Sequence, residues 1–133
     1  MKPVAITVLA VMLAAAPAAA KEVLLPLKNG TWAVSNGRCT KPDLIISGAV
    51  LTYLGMGGPD ERITVDCIQT TVALKKVGPN TYDGEYIFKS SPPQYRSYCE
   101  TPDGDDKSFG FVKISENKVR IDNIDYKFCG ASK

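Results

Sequence analysis

Apolar and polar residues alternate with a period of two through much of the chain. The longest such pattern runs from Arg62 to Lys89 and is interrupted by the sequence Gly78-Pro79-Asn80. These three residues suit a tight turn, because glycine is conformationally permissive, proline fixes φ and asparagine tolerates a positive φ. The pattern therefore predicts a long β-hairpin in which one face of each arm is turned to water.

The period of two also predicts which side chains of this hairpin share a face. On the first arm, we expect Val72 and Leu74 on the apolar face and Thr71 on the opposite one. On the second arm, the expected apolar face is formed by Tyr82, Gly84, Tyr86 and Phe88.

Further short strands are predicted about every ten residues, separated by Gly, Pro, Asn and Asp. No run longer than about eight residues after Ala20 keeps apolar residues at helical spacing. Residues 43–54 form either a bent strand or a tight hairpin, and Gly55 to Pro59 is expected to be a mobile loop. The other expected strands are 31–34, 109–114, 119–121 and 124–128.

These strands predict the fold class. We expect an all-β domain, a single small antiparallel meander barrel of about eight strands with two disulfides. Closure into a barrel removes the unpaired strand edges that promote aggregation. A β-sandwich is the alternative. Trp32, the only tryptophan, is expected to plug one end of the core.

The N-terminal 20 residues have the pattern of a secretory signal peptide. Lys2 is followed by an apolar run from Val4 to Ala16, and Ala18-Ala19-Ala20 supplies small residues for cleavage. The apolar run is short for a membrane span. We therefore expect residues 21–133 to form one periplasmic domain that does not insert into the membrane after the signal is cleaved.

Four cysteines follow the predicted signal peptide. In a small exported domain an even number implies disulfides, here two, involving Cys39, Cys67, Cys99 and Cys129. Three pairings are possible. The preferred one is Cys39–Cys67 with Cys99–Cys129, because successive strands of a meander are neighbours. The chain has no histidine and no C-x-x-C pair, so no metal site and no cofactor is expected.

Charge and composition also limit the function. Without Lys2 the chain has 15 basic and 14 acidic side chains, which gives no general attraction to nucleic acid. The absence of histidine removes histidine-activated nucleophiles. The remaining candidates are two acidic clusters, 60–66 and 100–106, in or beside polar loops where carboxylates stay ionised. The general acid of a glycosidase instead needs an apolar pocket that keeps it protonated. Asp103-Gly104-Asp105 lacks the spacing of a calcium loop. We predict no catalytic residues and no enzymatic activity.

Two loops are candidates for binding a partner. The first extends from Ser47 to Gly58 and contains Ser47, Gly48 and Tyr53. Its glycines make it adaptable, although Tyr53 also has a structural interpretation as an inward-facing strand residue.

The second candidate loop extends from Ser90 to Tyr98. It contains Tyr95, Arg96 and Tyr98, which are residue types that dominate the energetics of protein interfaces. Its prolines stiffen it and lower the entropy cost of docking. The structural alternative is that Tyr98 packs on the disulfide of Cys99.

The predicted signal peptide, the disulfide-bonded barrel and the sequence Ser47-Gly48 followed by Tyr53 resemble the small periplasmic inhibitors of lysozymes. The resemblance implies that Ser47 hydrogen-bonds a catalytic carboxylate of the target and that Tyr53 braces the loop. The basic residue that such inhibitors place nearby has two candidates here, Arg62 and Lys41. The implied partner is a lysozyme-like peptidoglycan hydrolase, belonging either to a host or to the cell itself.

Two other functions remain open at this point. A lipocalin-like carrier would bind a small ligand in the barrel mouth. A non-enzymatic envelope protein-interaction module would use the same surface loops as an inhibitor to bind another envelope protein.

Overall fold

The computed structural model describes residues 21–60, 62–99 and 107–131. The predicted signal peptide and the acidic segment 100–106 lie outside these residues. The described chain contains a 3-10 helix, Pro93–Tyr98. Its strands are β1 (Gly30–Val34), β2 (Leu44–Ser47), β3 (Val50–Asp60), β4 (Ile63–Gly78), β5 (Thr81–Ser91), β6 (Ser108–Ser115), β7 (Lys118–Ile121) and β8 (Ile124–Gly130).

The strands form a closed antiparallel barrel. Each strand pairs with its successor in the chain, and β8 returns to pair with β1. The prediction of an eight-stranded meander barrel is therefore confirmed, and the sandwich alternative does not apply.

Alternate side chains of the strands fill the barrel interior. The indole of Trp32 is fully buried, as predicted, with its Nε1–H donating to the carbonyl oxygen of Lys28 at 3.1 Å. The ring meets that of Phe128 edge-on, at 5.2 Å between centroids. The remaining fully or largely buried members of the main core are Leu25, Leu44, Ile46, Leu51, Tyr86, Phe109, Phe111, Val119, Ile121 and Tyr126.

The long hairpin forms where the alternating pattern predicts it. Gly78 pairs with Thr81 across the turn, and Asn80 adopts a φ of 52°. The apolar face of β5 is also as predicted, because its four residues point into the barrel. Gly84 fits this position for a steric reason. A Cβ atom added there would lie 2.5 Å from the nearest carbon of the Phe109 ring.

The first arm of the hairpin differs from the prediction. A β-bulge lies between Thr71, which pairs with Tyr86, and Ala73, which pairs with Glu85. Val72 is the extra residue, and a bulge of this kind reverses the alternation of faces on either side of it. Thr71 therefore points into the barrel and is fully buried, while Leu74 still reaches the core.

The bulge has an energetic consequence. Gln69 and Thr71 both face the interior, and within the described chain neither the Gln69 Nε2 nor the Thr71 Oγ1 has a hydrogen-bond partner. A buried polar group without a partner costs about 1–3 kcal/mol of stability.

Residues 43–60 form a tight hairpin of β2 and β3, and β3 continues beyond the pairing with β2 as a long strand. Ser47 pairs with Val50 around a short turn in which Gly48 has a φ of 60°. The expectation of a mobile loop at Gly55 to Pro59 is wrong, because β3 continues through these residues to Asp60. The strand continues because the neighbouring end of β4 pairs with it, through Met56 with Val65 and Asp60 with Ile63.

The two predicted disulfides form, but the preferred pairing is wrong. The bonds are Cys39–Cys129 and Cys67–Cys99. The preferred pairing assumed that only successive strands of the meander are neighbours. Closure of the barrel also makes β1 and β8 adjacent. The loop after β1 can therefore reach the last strand, across a sequence separation of 90 residues.

The connections of the barrel alternate between its two ends. The upper end holds the 35–43 loop, the β3–β4 turn, the 3-10 helix and the β7–β8 turn. The lower end holds the N-terminal segment 21–29 and the β2–β3, β4–β5 and β6–β7 turns. This alternation is a geometric property of an antiparallel meander.

Disulfide connectivity gives a direct test of barrel closure. Proteolysis without reduction, followed by mass spectrometry, should give one cross-linked peptide containing Cys39 and Cys129 and another containing Cys67 and Cys99. Replacing both Cys39 and Cys129 by alanine should lower the free energy of unfolding by about 3–5 kcal/mol, because a long loop is released. Peptides joining Cys39 to Cys67 would contradict the closed arrangement.

The bulge gives a second test. Thr71→Val replaces the unpartnered hydroxyl by a methyl group of nearly the same size, and should leave stability unchanged or raise it by about 1 kcal/mol. Thr70→Val, one residue earlier and half-buried, is the matched control, and denaturant unfolding is the measurement. A loss of more than about 1 kcal/mol in Thr71→Val alone would mean that the hydroxyl has a partner.

Candidate functional site

The interior of the barrel is filled toward both ends. At the lower end, the N-terminal segment crosses the opening: Val23 N–H donates to the Thr71 carbonyl oxygen at 2.9 Å, and the Leu25 side chain is buried in the core. At the upper end, a second cluster of Val65, Cys67 and Cys99 continues the interior. Candidate binding groups are therefore on the outside of the barrel and on its end loops.

The Ser47-Gly48 turn is a rigid, exposed feature of the lower end. Gly48 N–H donates to Asn29 Oδ1 at 2.8 Å, and Leu25 N–H donates to the Gly48 carbonyl oxygen at 3.1 Å. Next to it, Thr71 N–H donates to the Ala49 carbonyl oxygen at 2.8 Å. The exposed side chain of Ser47 is thus carried on a backbone fixed from both sides.

Tyr53 is a half-buried residue of β3 whose side chain points into the barrel. Its ring packs against both core clusters. Burial raises the pKa of its hydroxyl well above the usual value, and the nearby Tyr126 and Asp122 add to the shift. Tyr53 pairs with Leu44, whereas Ser47 pairs with Val50 at the other end of the same strand pair, so the Tyr53 ring is not part of the Ser47-Gly48 turn.

The 3-10 helix presents the second predicted site at the upper end. Tyr95 N–H donates to the Pro92 carbonyl oxygen at 3.1 Å, and Cys99 N–H donates to that of Arg96 at 3.0 Å. Tyr95 is half-buried against the second core cluster. Tyr98 meets it edge-on, at 6.0 Å between ring centroids, and stays 46% exposed.

This arrangement decides between the two interpretations of the helix tyrosines. Tyr95, and not Tyr98, packs near the Cys67–Cys99 bond. Tyr98 and Arg96 face outward, and the disulfide holds the end of the helix to β4. The helix is therefore a stiff platform with an aromatic and a cationic side chain on its surface.

The structure does not bring the predicted site residues together. Ser47 and Gly48 lie at the lower end, whereas the 3-10 helix lies at the upper end. The two basic candidates for a partner of Ser47, Lys41 and Arg62, also belong to upper-end connections.

Lys28, which was not singled out from the sequence, does lie at the lower end with Ser47. It precedes Asn29, the residue that fixes Gly48, and its ammonium group is 2.7 Å from Asn117 Oδ1. No local signal distinguishes Lys28 from other surface lysines, because its position depends on how the N-terminal segment crosses the barrel.

The outer face of β4, β5 and β6 contains a depression that was also missed. It encloses about 670 Å³, and its lining includes three carboxylates and one ammonium group, those of Asp83, Glu85, Asp122 and Lys75, together with the core side chains of Leu74 and Phe109. Within the part of the chain that is described, no group of three His, Cys, Asp or Glu side chains is arranged to hold a metal ion. The depression is open and has more acidic than basic side chains in its lining.

Two carboxylates near the β6–β7 and β7–β8 connections are held in the ionised form. The pKa of Glu116 is lowered by a hydrogen bond and ion pair with Lys113, at 2.8 Å. The pKa of Asp125 is lowered chiefly by its hydrogen bond with Arg120, at 2.6 Å. A general acid for glycoside cleavage requires a shift in the opposite direction.

The fold and surface define a closed, disulfide-bonded antiparallel β-barrel with rigid end loops. Comparison with protein-family models, curated proteins and solved structures gave no match for this chain. The residues that the structure describes include no helix with the length and apolar character needed to span a membrane. The two disulfides indicate an oxidising environment such as the periplasm or the extracellular space.

The buried position of Tyr53 predicts a specific dependence of stability on pH. Because burial in the folded state raises the pKa of the Tyr53 hydroxyl above its usual value, the unfolded chain loses this proton first as pH rises. Stability is therefore fully present below about pH 10 and falls above it, by up to about 1.4 kcal/mol per pH unit for one tyrosine.

Tyr53→Phe should make this alkaline decline shallower. The measurement is the free energy of unfolding in denaturant at pH 8, 10 and 11. Tyr98→Phe, on the exposed side of the 3-10 helix, is the control and should leave the slope unchanged. Equal slopes in the wild type and in Tyr53→Phe would contradict the buried placement of the hydroxyl.

Proposed function

We propose that this protein is an exported, non-enzymatic binding protein that restrains a lysozyme-like peptidoglycan hydrolase through its lower end. In this proposal residues 1–20 are the signal peptide and the domain works in the periplasm. The observation that carries the proposal is the Ser47-Gly48 turn, an exposed hydroxyl on a backbone held by hydrogen bonds from the N-terminal segment.

The chemistry of the target fits this turn. The cleft of a lysozyme-like enzyme contains one protonated carboxylic acid and one carboxylate, set apart for a sugar chain. The Ser47 hydroxyl can donate to the carboxylate or accept from the acid. Lys28, at the same end, supplies a cation for charge-assisted contact with the carboxylate.

The rigidity of the turn supports binding by a preformed surface. Hydrogen bonds at Gly48 and Ala49 fix the backbone before any partner arrives. A loop that is already ordered loses little conformational entropy on docking, so more of the contact energy appears as affinity.

The filled interior favours this function over a lipocalin-like carrier. Trp32 and Leu25 occupy the lower part of the barrel, and the cluster of Val65, Cys67 and Cys99 occupies the upper part. A carrier needs an internal pocket of several hundred cubic ångströms. The depression of about 670 Å³ is lined instead by the outward-facing Asp83 and Glu85, among others.

The general alternative, an envelope protein-interaction module, is favoured by the 3-10 helix. An exposed tyrosine beside an arginine on a disulfide-anchored helix has the composition of an interface hot spot. This surface is at the opposite end from Ser47, so the two proposals predict different effects of mutation.

Inhibition of peptidoglycan hydrolysis tests the proposed function. The disulfide-bonded protein should slow the clearing of a peptidoglycan suspension by lysozymes or by a resident hydrolase of the same periplasm. Ser47→Ala and Lys28→Gln should each weaken inhibition by about tenfold, corresponding to about 1.4 kcal/mol for one charge-assisted hydrogen bond.

Variants at the upper end are the matched controls. Arg96→Ala and Tyr98→Ala should leave inhibition unchanged if the lower end binds the enzyme. Loss of inhibition in these two variants alone would assign binding to the upper end. Absence of inhibition at micromolar excess over a panel of such hydrolases would contradict the function itself.

A further inference from the structure

The two disulfides of the barrel differ in their exposure to solvent. Cys39 is exposed in the 35–43 loop, and its partner Cys129 is half-buried near the end of β8. Cys67 and Cys99 are only 2% and 9% exposed. Thiol–disulfide exchange begins when a thiolate reaches one sulfur of the bond. In the folded protein, the Cys39–Cys129 bond is therefore the more accessible of the two.

The charge of the 35–43 loop also favours exchange at Cys39. Arg38 directly precedes this cysteine and Lys41 follows it two residues later, and both side chains are exposed. Lys41 N–H donates to the Arg38 carbonyl oxygen at 3.0 Å, so Cys39 belongs to a tight turn between the two cations. The acidic residue of this loop, Asp43, instead binds the backbone of β1 through its carboxylate. Positive charge beside a disulfide attracts the incoming thiolate and stabilises the departing one.

The Cys67–Cys99 bond has the opposite surroundings. Both cysteines belong to the second core cluster, and the apolar side chains packed around them are those of Val65, Tyr53, Phe88 and Tyr95. A buried apolar setting keeps a thiolate away from the sulfur atoms. Reduction of this bond therefore requires the 3-10 helix to separate from β4.

Both ends of the 35–43 loop are held by hydrogen bonds that do not depend on the disulfide. Ser35 N–H donates to the Asp125 carbonyl oxygen at 2.9 Å, and Asp43 N–H donates to the Trp32 carbonyl oxygen at 2.9 Å. Next to these contacts, β1 is paired with β8. Breaking the disulfide should therefore free the middle of the loop while the barrel stays closed. The closed barrel also keeps the two cysteines near each other, so that the bond can form again.

We propose that the Cys39–Cys129 bond is a reversible exchange site that takes a dithiol and thereby releases the 35–43 loop. One thiolate of the dithiol attacks Cys39 Sγ, and the electron pair of the broken bond leaves on Cys129 Sγ, which takes up a proton. The second thiol of the reagent loses its proton, attacks the mixed disulfide and releases Cys39, which is protonated in turn. The dithiol is oxidised to a disulfide as the bond in this protein accepts two electrons.

This site is separate from the surface that the proposed function uses. The 35–43 loop is a connection of the upper end, whereas the Ser47 turn lies at the lower end. Reduction should therefore change the exposed upper end and leave the Ser47 turn as it is. Two sources can supply a dithiol, a small molecule and the paired cysteines of a thioredoxin-like protein.

The test follows all four cysteines while the folded, disulfide-bonded protein is reduced. Dithiothreitol represents the small-molecule source and reduced thioredoxin the protein source. Thiols are alkylated at intervals and located by peptide mass spectrometry. With at least one reductant, Cys39 and Cys129 should be labelled together, at least about tenfold faster than Cys67 and Cys99. In denaturant the difference between the two bonds should disappear, because it comes from the fold.

Charge-matched double variants test the contribution of the two cations. Arg38→Gln with Lys41→Gln should slow reduction of the Cys39–Cys129 bond several-fold, because the thiolate is attracted less strongly. Lys75→Gln with Lys76→Gln removes the same charge from β4 and should leave the rate unchanged.

Hydrogen exchange tests whether reduction releases the loop alone. After reduction, the amides of residues 36–42 should exchange faster, those of β1 and β8 should stay protected, and oxidised glutathione should restore the bond. The proposal would be overturned by equal reduction rates for the two bonds, or by no reduction of the folded protein with either reductant. The same rate in both double variants, or loss of protection in β1 and β8, would overturn it as well.

Discussion

The pairing of β8 with β1 is the constraint on which the rest of this structure depends. It joins Thr31 to Gly130 and Val34 to Tyr126. The two strands that contain these residues lie at opposite ends of the described sequence. This pairing closes the wall around Trp32 and brings Phe128 against the indole. A closed wall has no unpaired strand at the β1–β8 seam, which removes a surface that could otherwise recruit another chain.

Closure also determines where function can lie. The N-terminal segment crosses the lower end, and two clusters of buried side chains fill the interior. The exposed candidate residues accordingly lie on the outer wall and the end loops, and antiparallel connections place alternate loops at opposite ends. For this reason the Ser47 turn and the Tyr98 helix cannot contribute to one flat interface, although both are rigid and exposed.

The sites where the pattern fails are the informative ones. A single extra residue, Val72, turns Thr71 into the core and leaves its hydroxyl without a partner. A glycine-rich stretch after Leu54 continues as strand because β4 supplies hydrogen bonds beside it. In both places pairing with a neighbouring strand outweighs the local preference, since strand propensity mainly reports how a residue fits its sheet environment.

The sequence by itself determined the all-β class, the turn at Gly78-Pro79-Asn80, the inward face of β5 and the burial of Trp32. These features follow from residues close together in the chain, where period and turn chemistry act directly. Only the tertiary structure decided the disulfide partners, the opposite placement of the candidate loops and the position of Lys28 beside Phe128. Each of these depends on barrel closure, which joins residues about a hundred positions apart and so leaves no mark in the local pattern.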